Sequence, residues 1–99
     1  MSELNESNSM KDLLKELDRE KNIITISKDI RKFRRIATII TGIEGNDYEL
    51  QSIVSDLKKK IGTGGTAKAG QIILQGDHRG TVKNILIAKG FSEDKIELR

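Results

Sequence analysis

Residues 50–79 read LQSIVSDLKKKIGTGGTAKAGQIILQGDHR, and within this stretch the apolar pattern changes period twice. Leu50, Ile53, Val54, Leu57 and Ile61 recur at helical spacing, which predicts an amphipathic helix of about four turns with its apolar stripe on a sheet. Upstream, Asn46 and Glu49 are spaced like a capping box; downstream, Lys58, Lys59 and Lys60 crowd the last turn, where cations favour the negative end of the helix dipole. Gly62 is the natural stop. From Gly62 to Gly70, four of nine residues are glycine, so the segment is a loop or a loop opening into a short hairpin strand. Gln71–Gln75 then reads as a buried strand ended by Gly76. Asp77 is placed to cap a second helix, carried inward by Val82, Ile85, Leu86 and Ala88 and terminated at Gly90.

Toward the N-terminus, Ile23-Ile24-Thr25-Ile26 and the run from Ile36 to Ile43 are β-branched and predict two strands. Between them, Ser27–Arg35 holds five cations and one anion, a charged hairpin tip. Lys95–Leu98 alternates as a final edge strand. Residues 1–9 carry no periodicity and read as a disordered tail, while Met10, Leu13, Leu14 and Leu17 mark one short helix capped by Ser9. Two domains of organisation follow: a flexible acidic leader over residues 1–20 and a folded unit over residues 21–99. Because both long helices lie between strands, the expected class is an α/β (α+β) two-layer sandwich. It has a mixed four- to five-stranded sheet with both helices packed on one face. The opposite sheet face is then solvated or free for docking.

The chain has 99 residues with a net charge of +3, no cysteine, no proline, no tryptophan and three aromatic residues. A chain of this length supports one modest core. Without cysteine there is no disulfide framework, thiolate metal site or thiol nucleophile, which fits a reducing, cytoplasmic setting. The longest uncharged apolar-rich stretch, Ile36–Ile43, falls far short of the ~20 residues of a membrane span, and no basic-then-apolar signal pattern opens the chain. Residues 1–20 carry three cations and six anions, so the remainder sums to +6. A basic body behind an acidic leader suggests a polyanionic partner, most often nucleic acid.

Catalysis has little support. The one histidine, His78, stands between Asp77 and Arg79 at a strand-to-helix turn, where capping or packing outweighs a catalytic role, and no HExxH-type cluster exists. The glycines at 62–65 follow a helix instead of preceding a Gly-Lys-Ser/Thr helix start, which rules out a Walker-type cradle. They still allow close backbone approach to a phosphate–ribose chain, with Lys68 and Lys58–Lys60 nearby in sequence. The Lys28–Arg35 tip is the most informative feature. Guarding a sheet edge needs one or two lysines, whereas Arg31, Arg34 and Arg35 supply planar donor forks suited to phosphates. With so few aromatics a base-stacking platform is disfavoured, and shape-based contact with structured RNA fits better.

Lys58-Lys59-Lys60-Ile61-Gly62-Thr63-Gly64-Gly65-Thr66, then Leu74-Gln75-Gly76-Asp77-His78-Arg79, closely resembles the translation initiation factor 1 family of archaea and eukaryotes. With the Thr38–Gly45 strand and Gly90-Phe91, the resemblance covers roughly residues 21–98. It implies two helices on one face of a mixed sheet behind a flexible N-terminal segment, and a cytoplasmic, monomeric fidelity factor without catalytic activity or cofactor. The implied partners are the small ribosomal subunit, through its ribosomal RNA near the peptidyl-tRNA site, with initiator tRNA and messenger RNA close by and room for other initiation factors. The family's basic loop corresponds to Arg31, Lys32, Arg34 and Arg35, and its glycine-containing loop to Thr63, Gly64, Gly65 and Thr66. Lys58–Lys60 face ribosomal RNA in relatives, and Gly76–Arg79 combine a turn with RNA proximity. Two departures stand out. Phe33 occupies a loop where relatives often carry glycine, which allows a stacking contact to an exposed base. The N-terminal cysteines common in archaeal relatives are missing, so no zinc is implied. A stress or recycling factor of the same fold, and a protein-interaction module using the open sheet face or leader helix, are the alternatives.

Overall fold

The β-branched runs form an antiparallel hairpin. In the computed structural model, which describes residues 23–31 and 34–99, β1 (Ile24–Ile30) pairs with β2 (Ile36–Thr41) from Thr25↔Thr41 to Ile30↔Ile36. β1 runs four residues past the apolar run at its head, through Lys28 and Asp29, because β2 offers it partners along that whole length. The charged tip is therefore shorter than the sequence suggests, spanning residues 31–35, and the Arg31 N–H closes it on the Arg35 carbonyl at 2.6 Å. The leader helix expected over Met10–Leu17, and the tip residues Lys32 and Phe33, lie outside the described residues.

Gly42, at φ +89°, ends β2, and a Cβ there would strike the Ile23 carbonyl. Helix α1 (Asp47–Ile61) follows. Its Asn46 cap accepts the Glu49 N–H at 2.9 Å, one half of the expected capping box. Leu50, Val54 and Leu57 are buried on one stripe, each worth roughly 1.5–3 kcal/mol of removed apolar surface. Gly62 then turns left-handed at φ +77°, its N–H bonded to the Lys58 carbonyl. The glycine-rich segment does open into a strand: β3 (Gly65–Lys68) pairs with β4 (Gln71–Gln75) across the two-residue turn Ala69-Gly70, both at positive φ. Helix α2 (Arg79–Ala88), a single 3₁₀ turn (Glu93–Lys95) and β5 (Ile96–Leu98) complete the described chain.

The sheet has five strands in the order β3-β4-β2-β1-β5, antiparallel throughout except for β1 with β5. β2-α1-β3 and β4-α2-β5 are both crossovers between strands of like direction. They leave from antiparallel strands and move toward opposite edges, so one handedness places both helices on the same face. The core records this arrangement: Ile24, Ile26, Ile40, Ile72, Leu74 and Ile96 of the sheet cluster with Leu50, Val54, Leu57, Val82 and Leu86 of the helices. No helix among the described residues is long and apolar enough to cross a membrane.

Candidate nucleic-acid interface

Five short links gather one end of the sheet. The Gly76 N–H donates to the Ile36 carbonyl at 2.8 Å, tying the turn after β4 to the base of the hairpin tip. The Gln75 N–H donates to Gly64 O at 2.9 Å and the Thr63 hydroxyl to Gln75 O at 2.8 Å, which bring the end of α1 alongside. Arg79 Nη1 donates to the Arg99 carbonyl at 2.9 Å and Arg99 N–H to Ile26 O at 2.8 Å, adding the end of β5. Arg31, Arg34, Arg35, Lys58, Lys59, Lys60, Thr63, Gly64, His78 and Arg79 thus converge at this end from three separate chain segments. Lys68 does not. It pairs with Gln71 at the opposite end of the sheet, and Thr66, opposite Ile73, sits midway on the face away from the helices.

Within the cluster, some groups are committed to the fold and others are not. The Arg79 guanidinium grips Asp77 through Nε (2.8 Å) and Nη2 (3.0 Å), so both faces of its fork are occupied. That contact holds the Asp77 carboxyl below its ordinary value and pushes Arg79 up. It also overturns the expectation that Asp77 caps α2. His78 occupies the cap position without a side-chain cap bond, and Asp77 reaches the Arg79 N–H only at 3.5 Å. The His78 N–H is taken instead by the buried Thr38 hydroxyl at 2.9 Å, which itself donates to Gly76 O at 2.6 Å. His78 Nε2–H donates to Gln75 O at 2.7 Å, so the imidazole braces the turn. Gly65 is a packing glycine: a Cβ there would lie 2.6 Å from Leu74 Cδ2 and 2.8 Å from Ile73 O.

The remaining cations are less engaged among the described residues. Arg34, Arg35, Lys58 and Lys59 are exposed and have no carboxylate among the described residues within ion-pair range, and Arg31 makes only a loose 3.5 Å contact to exposed Asp29. Lys60 is shared with Asp56 at 3.3 Å. Arg34 is left-handed at φ +58°, so the glycine-favouring position of the tip falls on Arg34, one residue beyond Phe33. No group of three or more acidic or imidazole side chains among the described residues could hold a metal. The sequence reading missed Thr38, Arg99 and the apolar residues at the base of the tip. A threonine inside an otherwise apolar central strand was the available signal for the first.

The translation initiation factor SUI1 family model matches residues 20–92. The protein translation factor SUI1 homolog of Aeropyrum pernix is 45% identical over 87 residues, covering 88% of this chain and 86% of that protein. Homologs of the same name from Hyperthermus butylicus (45% identical, covering 86% and 82%) and Pyrococcus furiosus (43% identical, covering 87% and 88%) are similar over comparable lengths. The chain therefore belongs to the translation initiation factor SUI1 family, and its exposed basic end is a feature of a domain built for translation initiation.

Proposed function

We propose that this chain is a start-codon selection factor that binds the small ribosomal subunit, near the peptidyl-tRNA site, through the basic end of its sheet. The observation that carries the reading is the convergence of exposed Arg34, Arg35, Lys58 and Lys59, without carboxylate partners among the described residues, with Arg31 beside them, on one end of a SUI1-family domain. Cations arriving from a hairpin tip and a helix end form a broad, rigid phosphate-binding front that reads the shape of folded RNA, not its sequence. The action is binding: the factor favours an open, sampling state of the subunit and is displaced once initiator tRNA pairs correctly with the start codon. Thr63 and Gly64 position the end of α1 within this front, and Gly65 and Thr66 carry the adjoining strand.

Co-sedimentation with small ribosomal subunits at graded salt tests this, with retention at low salt expected. Absence of retention by either subunit overturns it. Reversing charge with Arg34→Glu and Arg35→Glu is expected to weaken retention by at least tenfold and to relax start-codon choice in a reconstituted initiation assay, with an unchanged circular dichroism spectrum.

A further inference from the structure

Ile30 and Ile36 lie opposite each other in the β1–β2 hairpin, on the strand face that four and six residues earlier in β1 feeds Ile26 and Ile24 into the core. They extend beyond the helix layer, so Ile30 is 67% exposed and Ile36 42% exposed. Single exposed apolar residues are ordinary, but this is a matched pair of rigid β-branched side chains set among the tip arginines. Arg31 and Arg35 follow and precede the pair in sequence. Lys28, next along the same strand face, is close enough to bear on the Asp77 carboxyl, and the Ile36 carbonyl holds Gly76 of the neighbouring turn. The pad therefore sits at the basic end, with Lys28 on its own strand face and Arg31 and Arg35 at its edge.

A cross-strand isoleucine pair that only stabilised the hairpin would need no such position. Charge selects the occupant: with Lys28 on its face and the tip arginines at its edge, the pad suits a ligand that pairs an apolar face with adjacent anions, which an unstacked base and its flanking phosphates supply as a matter of course. Resting on the ribosomal reading above, we infer that Ile30 and Ile36 form an apolar seat for an unpaired nucleobase of the bound RNA, while Lys28 and the neighbouring tip arginines hold its flanking phosphates. A base laid on the seat contributes affinity that does not depend on counterion release, and it makes the factor prefer RNA with an accessible base over continuous duplex.

The experiment uses the full chain and two RNA hairpins of equal length and charge, one fully paired and one with a single bulged purine. The wild-type protein is expected to bind the bulged hairpin about tenfold tighter, the scale set by burying two partly exposed isoleucines. In Ile30→Thr/Ile36→Thr, which keeps β-branching, the preference is expected to vanish while the slope of log affinity against log salt is unchanged. Arg35→Gln should do the reverse, lowering the slope and keeping the preference. Equal binding of both hairpins by the wild-type protein overturns the seat, as does a preference that survives in the double variant or an equal loss on both hairpins. Failure of the wild-type protein to be retained by small subunits overturns the ribosomal reading; retention with no base preference overturns the seat alone.

Discussion

Thr38 shows how much one hydroxyl can organise. It is fully buried in the central strand, donates to the Gly76 carbonyl and accepts the His78 N–H, fixing the turn that leads into α2. Thr38→Val keeps the shape and leaves both backbone groups without their partner, so it is expected to cost roughly 1–3 kcal/mol in urea unfolding. Arg34 behaves differently. Its backbone is left-handed at φ +58°, a conformation that costs a side-chain-bearing residue energy. Arg34→Gly is expected to raise stability by about 0.5–1 kcal/mol, net of glycine's larger unfolded-state entropy, while weakening subunit binding and lowering the salt slope by about 0.7–0.9. Sequence could not separate these two residues from their neighbours, because neither a buried hydroxyl's partners nor a positive φ leaves a periodic trace.

The elements were largely legible. Both helices, their glycine stops and the strands at Ile36 and Gln71 follow from spacing, since burial on one stripe demands a period. The extent of β1 was not, because Lys28 and Asp29 are drawn into the ladder by their partners on β2 and carry little strand preference of their own. Nor was the joint between the helices. Asp56 of α1 accepts Lys89, just past α2, and also Lys60 one turn on, and these contacts, Lys89 foremost, hold its carboxyl below the ordinary value. A depressed carboxyl contributes stability that is present above its unfolded value and lost as pH falls through the folded one. Asp56→Asn is therefore expected to lower the melting temperature at pH 7, and the difference from wild type should close as pH falls below the ordinary aspartate value of about 3.9. A difference that persists in acid would assign the role of Asp56 to packing.

For the whole molecule, the sequence revealed the sign of the charge and its clustering but not its geography. Lys68 follows the glycine loop closely in sequence and reads there as one group with Lys58–Lys60; the β3–β4 hairpin carries it to the far end of the sheet. Lys68→Gln should leave the salt slope of subunit binding unchanged, whereas Lys59→Gln should reduce it by about 0.7–0.9, measured by sedimentation over a salt series. The end-to-end layout has another consequence, for synthesis. The parallel pair that covers the outer edge of β1 joins Ile24 to Ile96, a separation of 72 residues, while every other strand pair is a hairpin or a nearer neighbour. An emerging chain can form the hairpin and seat α1 early, but it must present β1 with a bare edge until Ile96–Leu98 arrive. Among the described strands, β5 is thus the one that closes the β1 edge, and slowing its emergence would prolong the interval in which a nascent translation factor is open to mispairing.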